Sequence, residues 1–271
     1  MRFSITTWNI NSVRLRIDQI TRFLAEQAPD VLCLQETKCP VDQFPEKPIR
    51  AAGYDHVAYA GMKGYNGVAI LSKLPLAEID IREHCGKADA RHIALRIGPG
   101  AGEASGLRIE NFYVPAGGDI PDTALNPKFA HKLQFLAEMR AQAEKARAGA
   151  APTILVGDLN IAPLEHDVWS HRQLLDVVSH TPVETATLEE LREAAGLVDA
   201  ARLLRPQPEK IYSWWSYRSP DWAAADKGRR LDHIWLSPDL APTCRSVEVL
   251  RDARGWDRPS DHAPVTAVLE L

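Results

Sequence analysis

The chain has no run of about 18 apolar residues, so a membrane-spanning helix is not expected. The opening Met1-Arg2-Phe3-Ser4-Ile5-Thr6 lacks the apolar stretch and small-residue cleavage site of a secretory signal. Cysteine is scarce, with 4 in 271 residues. Cys33, Cys39, Cys85 and Cys244 form no C-x-x-C pair and have no adjacent histidine pair, which excludes a zinc module and a disulfide-stapled scaffold. Cys33 lies in the run Asp30-Val31-Leu32-Cys33-Leu34, where a buried inert thiol is expected, and a reducing cytoplasmic setting fits this usage. A basic excess is also missing. Lys and Arg number 32 against 36 Asp and Glu, a net charge of −4. That excludes a protein that coats nucleic acid by charge, so any such contact is local and a metal could supply the positive charge.

Internal repeats and low-complexity tracts are absent as well. What is present is the composition of a folded protein, 45% hydrophobic and 25% charged. At about 150 residues per domain the length suggests two domains, but single α/β domains reach this size, and one domain over residues 1–271 is the expectation.

Short β-type runs recur along the chain: Phe3 to Trp8, Val31 to Gln35, Gly67 to Leu71, His92 to Ile97, Leu107 to Val114, Thr153 to Val156, Leu231 to Leu236 and Val265 to Leu271. The stretch Gly98 to Gly106 reads as a hairpin loop. Between the runs, Val13, Ile17, Ile20 and Leu24 lay an apolar stripe on a helix, as do Phe129, Leu133 and Leu136. Thr187-Leu188-Glu189-Glu190 predicts a capped helix start and Gly196 its end. Hairpins mixed with helical connections argue against a purely parallel sheet and predict one α/β domain on two mixed sheets.

Polar residues gather where these strands end. Trp8-Asn9-Ile10-Asn11 closes the first, Leu34-Gln35-Glu36-Thr37-Lys38 the second and Val156-Gly157-Asp158-Leu159-Asn160 a later one. Arg230-Leu231-Asp232-His233 opens another strand, and Ser260-Asp261-His262 precedes the last. Each alone has an ordinary explanation: an Asx turn at Asp158, a first solvated residue at Glu36, a turn at Asp261. Acid, amide and histidine at several strand ends together point to a ligand site. Hard oxygen donors (Glu36, Asp261, Asp158 and the amides) without thiolates suit Mg²⁺ or Mn²⁺ and a phosphate ester. Asp158 is then the candidate to prepare a water, Asn160 to hold that water or a phosphoryl oxygen, and Tyr113 to donate from its hydroxyl. His262, paired to Asp232, could remain protonated beside a phosphate.

Taken in order, these motifs resemble the exonuclease III / AP endonuclease family of the endonuclease–exonuclease–phosphatase superfamily, and its bacterial exonuclease III branch in particular. The similarity runs from Thr7 to Val265. It includes Gly64-Tyr65-Asn66-Gly67-Val68-Ala69, Tyr113-Val114-Pro115, Gly157-Asp158-Leu159-Asn160 and Trp214-Trp215-Ser216-Tyr217-Arg218 besides the strand ends already named. The resemblance implies a four-layered α/β sandwich, two mixed sheets face to face with helices outside. It implies Mg²⁺ or Mn²⁺ on Glu36, with Asn9, Asp158, Asn160, Asp261 and His262 as the other candidates around the metal. It assigns catalysis to Tyr113, Asp158, Asn160, Asp232 and His262, and substrate contact to Asn11, Lys38, Arg91, Trp214 and Arg229. By the same resemblance the partner is double-stranded DNA with abasic sites or blocked or recessed 3′ ends, cut by a cytoplasmic monomer to leave a 3′-hydroxyl.

Two positions depart from the family pattern. Ala116 stands where many relatives carry Asn or Gln, and Arg229 where some place an apolar or aromatic residue around the base-less sugar. An arginine there would favour a terminal 3′-phosphate over an internal abasic sugar. Of the 7 tryptophans, Trp214, Trp215, Trp222, Trp235 and Trp256 fall late in the chain among several arginines. Trp235 reads as core, and about two of the five are expected to contact DNA, with Trp214 the favourite by its position in the family pattern. Two other readings keep the fold: a phosphoesterase on another ester, such as an inositol phosphate or sphingomyelin, and a catalytically silent nucleic-acid-binding protein. Silence would be expected to have cost one of Glu36, Asp158, Asn160, Asp232 or His262, and all are present.

Overall fold

The computed structural model of the chain describes residues 1–146 and 151–271, and the apolar runs fold into strands. In chain order these are β1 (Arg2–Asn9), β2 (Val31–Gln35), β3 (His56–Ala60), β4 (Val68–Ser72), β5 (Leu76–Asp80), β6 (His92–Ile97) and β7 (Arg108–Tyr113). There follow β8 (Thr153–Asp158), β9 (Val198–Asp199), β10 (Trp214–Trp215), β11 (Gly228–Arg229), β12 (Asp232–Leu236), β13 (Cys244–Val249) and β14 (Val265–Glu270). The helices are α1 (Ile17–Glu26), α2 (Glu46–Ala51), α3 (Pro127–Ala146), α4 (His171–Leu174), α5 (Pro182–Ala195), α6 (Ala200–Leu204) and α7 (Trp222–Ala225). Among the described residues no helix is long and apolar enough to cross a membrane.

Two six-stranded sheets carry the fold, ordered β13-β14-β1-β2-β4-β3 and β5-β6-β7-β8-β12-β9. Each is mixed: β1 and β2 run parallel in the first and β7 and β8 in the second, with antiparallel neighbours around them. The reason lies in alternation. In β2, Val31 and Cys33 face the other sheet, packing with Ile93, Ile109 and Val156, while Leu32 and Leu34 face α1 and α2 through Ile20, Phe23 and Ile49. With both faces covered, such a strand reads as one continuous apolar run. On the far side, Phe112, Leu155 and Trp235 pack beneath Phe135, Leu136 and Met139 of α3 and Leu188 and Leu191 of α5. The order helix, sheet, sheet, helix is the expected four-layered sandwich.

A polar bridge crosses the apolar interior between the sheets. Asn111 of β7 donates through Nδ2 to the carbonyls of Leu34 and Ala69, both at 3.0 Å, and Gln35 Nε2 donates to Asn111 Oδ1 at 2.7 Å. Buried amides held this way fix how one sheet sits on the other.

Local expectations fared unevenly. The Gly98–Gly106 loop does join antiparallel β6 and β7. The stripe from Val13 to Leu24 is buried at Val13, Ile20 and Leu24, but the helix starts only at Ile17. The capped start at Thr187 is wrong. Helix α5 begins after Thr181, whose hydroxyl accepts from the Glu184 amide, and Thr187 lies inside the helix with Oγ1 donating to Val183 O at 2.7 Å. Both sites read T-x-x-E; Pro182, whose missing N–H costs nothing in the first turn, selects the earlier one. Gly196 ends α5 in the left-handed conformation as expected, φ 66°.

Candidate active site

Strand register builds the centre of the site. Tyr113 of β7 is the parallel partner of Asp158 of β8, and Asp232 of β12 is the antiparallel partner of the same Asp158. Residues far apart in sequence thus stand side by side at one sheet end. Gly157 lets this happen: a Cβ there would lie 2.0 Å from the Phe112 carbonyl oxygen, and its φ of +151° suits glycine. The first sheet contributes from β1, where Asn9 Nδ2 donates to Asp158 Oδ2 at 2.8 Å. Asn160 closes the other side, its backbone N–H on Asp158 Oδ1 at 3.0 Å and its Nδ2 on Oδ2 at 3.2 Å and on Val114 O at 2.9 Å. Glu36, Lys38, Asn11 and Asn160 all have left-handed backbones, φ 55°, 50°, 45° and 53°. Strain of this kind collects where side chains are aimed for function.

Asp158 is buried beside an imidazole. His262 Nδ1 lies 2.8 Å from Asp232 Oδ2, and its Nε2 lies 3.7 Å from Asp158 Oδ2. Asp232 Oδ2 also accepts from Ser213 Oγ at 2.6 Å, while its buried Oδ1 has no partner among the described residues. Burial works against a charged His262, but Asp232 and Asp158 outweigh it and hold the imidazole protonated well above the ordinary histidine range. Burial pushes the Asp158 carboxyl up, the imidazolium pulls it back, and Asp232 pushes it further up. The Tyr113 phenol is raised well above its ordinary value, first by burial and then by the charges of Glu36 and Asp158. It therefore stays a hydroxyl donor.

Glu36 and Asp261 supply further carboxylates. Glu36 Oε1 pairs with Lys38 Nζ at 2.8 Å, and Lys38 also donates to Asn11 Oδ1 at 2.6 Å. Asp261 accepts from Trp214 Nε1 at 2.9 Å and from Asn11 Nδ2 at 3.3 Å. The charges of Glu36, Asp158 and Asp261 all bear on the Tyr113 phenol, with Arg91 opposing them. An oxygen-only donor set with surplus negative charge suits a hard divalent cation. By spacing, Asp158, Asp232 and His262 also qualify, one ligand atom of each lying within 4.8 Å of the others. The Nδ1 of His262 is committed to Asp232, however, so His262 and Asp232 work better as a hydrogen-bonded pair beside Asp158 than as two ligands of one ion.

A cleft of about 840 Å³ opens over these groups. Asn9, Glu36, Tyr113, Asp158, Asn160, Asp261 and His262 line it, together with Trp214, Arg229 and Ala116. Arg229 Nη1 is anchored on Val178 O at 3.1 Å and Ser179 Oγ at 2.7 Å, with the guanidinium over the Trp214 ring at 5.2 Å. Asn11 and Lys38 are not among the lining residues but touch two of them, Asn11 on Asp261 and Lys38 on Glu36. Arg91 falls outside the lining: its guanidinium engages Asp89 and the Tyr113 carbonyl and covers the Tyr113 ring at 4.8 Å. Trp235 is buried, as expected of a core strand. Reasoning from sequence missed Ser213 beneath Asp232 and the lining residues Trp169, Val178 and Ser179. Lys227 over the Trp169 ring at 4.6 Å shows that the aromatic signal extended beyond the late tryptophans.

Residues 6–262 match the sequence pattern of the Endonuclease/Exonuclease/phosphatase family. The chain is 33% identical to Exodeoxyribonuclease III of Haemophilus influenzae, over 96% of this chain and 97% of that protein. It is 30% identical to the Exodeoxyribonuclease of Bacillus subtilis, over 98% and 99%. Among solved structures it resembles an AP endonuclease from Archaeoglobus fulgidus, with TM-score 0.90 and 32% identity over 99% of this chain and 100% of the other. It resembles equally a 3′ phosphatase from Neisseria bound to a product DNA hairpin, with TM-score 0.89 and 33% identity over 99% and 100%.

Proposed function

Because the chain belongs to the Endonuclease/Exonuclease/phosphatase family, we propose that it is a metal-dependent DNA-repair phosphodiesterase acting on duplex DNA. Its substrates are abasic sites and blocked or recessed 3′ ends, and hydrolysis leaves a 3′-hydroxyl. The observation that carries this reading is the convergence of Asp158, the His262–Asp232 pair, Tyr113 and the Glu36/Asp261 carboxylates on one cleft lined with tryptophan and arginine. All of these groups come from residues 1–271, so one catalytic unit working as a monomer suffices. The free thiols, of which Cys33, Cys39 and Cys244 are buried, support a reducing cytoplasmic setting.

Asp158, oriented by Asn9 and Asn160, takes the proton of the attacking water. His262, kept cationic by Asp232, faces the phosphoryl group, and the Tyr113 hydroxyl donates to an oxygen that gains charge in the transition state. Glu36 and Asp261 would hold Mg²⁺, with Mn²⁺ as an alternative and Asn9 adjacent. A divalent cation held there would supply positive charge to offset the negative charge that builds up as the phosphate ester is cleaved.

The test is incubation with Mg²⁺ and matched duplexes carrying an abasic site, a 3′-phosphate or a recessed 3′-hydroxyl. Cleavage that disappears in excess EDTA is expected. Turnover of inositol phosphates with all three duplexes intact would overturn the reading in favour of a non-DNA ester. Glu36→Gln should raise the Mg²⁺ needed for half-maximal activity by at least ~10-fold, because even groups that merely support a ligand cost that much. Binding of uncleaved duplex in EDTA should be unaffected by it, and an unchanged Mg²⁺ requirement would remove Glu36 from the metal.

Arg229 bears on substrate choice. Its guanidinium is stacked and anchored in the cleft, and a terminal phosphate carries more negative charge than an internal diester. Arg229→Leu should shift the ratio of abasic-site nicking to 3′-phosphate removal upward by about tenfold, the worth of one charge-assisted hydrogen bond. An unchanged ratio would show that Arg229 does not sort the two substrates.

A further inference from the structure

Under the cleft, between α3 and α5, lies an ion pair closed to solvent. Lys132 and Glu184 are both 0% exposed, with Nζ and Oε1 2.5 Å apart. Neither belongs to the chemistry above, but what they hold does. Lys132 Nζ also donates to the carbonyl oxygens of Asn160 at 2.8 Å and Ala116 at 3.3 Å, so its three donors are all engaged. Glu184 accepts from the Ser179 backbone N–H with both oxygens, at 3.0 and 2.9 Å, and from Thr181 N at 3.2 Å and Oγ1 at 2.6 Å. Ser179 and its neighbour Val178 are the anchors of Arg229. One buried pair therefore ties together the segment after β7, the segment after β8 and the turn before α5, and all three line the cleft.

Stability alone is a poor reason for such a pair, because the desolvation of two ions offsets most of their attraction. Asn160 gives a better one. Its left-handed backbone, φ 53°, persists only when neighbouring groups hold it, and its N–H and amide orient the Asp158 carboxylate. We propose that Lys132 and Glu184 are positioning residues that fix Asn160, and through it Asp158, against the Ala116 and Arg229 walls of the cleft. The catalytic part of this inference rests on the phosphodiesterase reading; the clamp itself does not.

Hydrogen–deuterium exchange tests the clamp without any substrate. Lys132→Met should accelerate exchange around residues 116–118, 160–162 and 178–181 together and leave β1 and β2 unchanged. Acceleration in none of the three segments, or in only one, overturns the proposal. Kinetics on the abasic duplex test its consequence. Lys132→Met should lower kcat about 10²-fold, the effect of a misplacement near 1 Å, with KM within about threefold of wild type. Ile49→Ala, a core truncation under the opposite sheet, is the control for lost stability, with both variants assayed well below their melting temperatures. A kcat loss no greater than the control's overturns the positioning role. Should Lys132→Met fail to fold, Glu184→Gln keeps the shape without the charge. It should loosen the same three segments and lower kcat about tenfold, and absence of both effects overturns the proposal. A wild-type chain inactive on every duplex would count against the phosphodiesterase reading, while the exchange data still decide the clamp.

Discussion

Replacing Asp158 by asparagine should lower duplex cleavage about 10³–10⁴-fold, the upper range for loss of a positioned proton acceptor. The substitution is nearly isosteric, and the carbonyl of the new amide can still accept from Asn9 or Asn160, which now bind the carboxylate at 2.8 to 3.2 Å. What vanishes is the ability to take a proton. Burial already disfavours the charged carboxylate, and the His262 imidazolium keeps it available. For that reason Asp158→Asn combined with His262→Asn should lose little more than either change alone, as expected of groups that act as a unit. Single-turnover rates with saturating enzyme measure the loss directly, and duplex binding in EDTA provides the control for folding. A loss below about tenfold for Asp158→Asn would remove it from the proton-transfer role.

The largest effect on stability should come from Asp167, which is completely buried among arginines. It meets Arg230 Nε at 2.8 Å through Oδ1 and Arg230 Nη2 at 2.8 Å through Oδ2, and it also binds Arg202. Arg230 is itself buried and reaches Asp199 at 2.7 Å. Asp167→Asn leaves the Arg230 guanidinium underneutralised and should destabilise the fold by about 3–5 kcal/mol in denaturant titrations at pH 7. The pH dependence has a definite sign. Burial would raise the Asp167 carboxyl, but Arg230 and Arg202 pull it down to about 2 from an ordinary value of 3.8. A folded-state value below the unfolded one gives stability that is complete above pH 4 and is lost as the pH falls toward 2. The stability difference between wild type and Asp167→Asn should therefore shrink by about 2 kcal/mol over that window. A difference that stays constant from pH 5 to pH 2 would show that the arginines do not hold Asp167 ionised.

What could be read in the sequence was what two covered faces or a demanding chemistry write there. β2 and β8 stood out because neighbours on both sides force a continuous apolar run. β5 did not, since it is a partly exposed edge strand with a register shift between Ala77 and Asp80. β13 was hidden similarly, by the irregularity between Cys244 and Ser246. β9, β10 and β11 are two residues long and leave no period to detect. In the site, Glu36, Asp158, Asp232 and His262 were visible as residue types at strand ends, and the family pattern implied the His262–Asp232 pair, but the seat of Asp158 between Tyr113 and Asp232 was not visible. It depends on a register between strands separated by long connections. Lys132 and Glu184 were invisible for a different reason: a lysine and a glutamate on helices read as solvated until burial is known. The misplaced cap at Thr187 added to this, because it removed Glu184 from the helix start where its hydrogen bonds are made.

The first and last strands are neighbours: β14 pairs with β1 from Arg2↔Glu270 to Thr7↔Val265, and Trp8 Nε1 donates to His262 O at 3.0 Å. Protein synthesis is vectorial, so Asn9 leaves the ribosome 252 residues ahead of Asp261 and 253 ahead of His262. A nascent chain that already includes the residues of β2, β4, β7 and β8 still lacks both the imidazole and one carboxylate of the site. Incomplete chains released by stalled or broken messages would therefore lack Asp261 and His262, and with them part of the cleft wall and part of the means to cut.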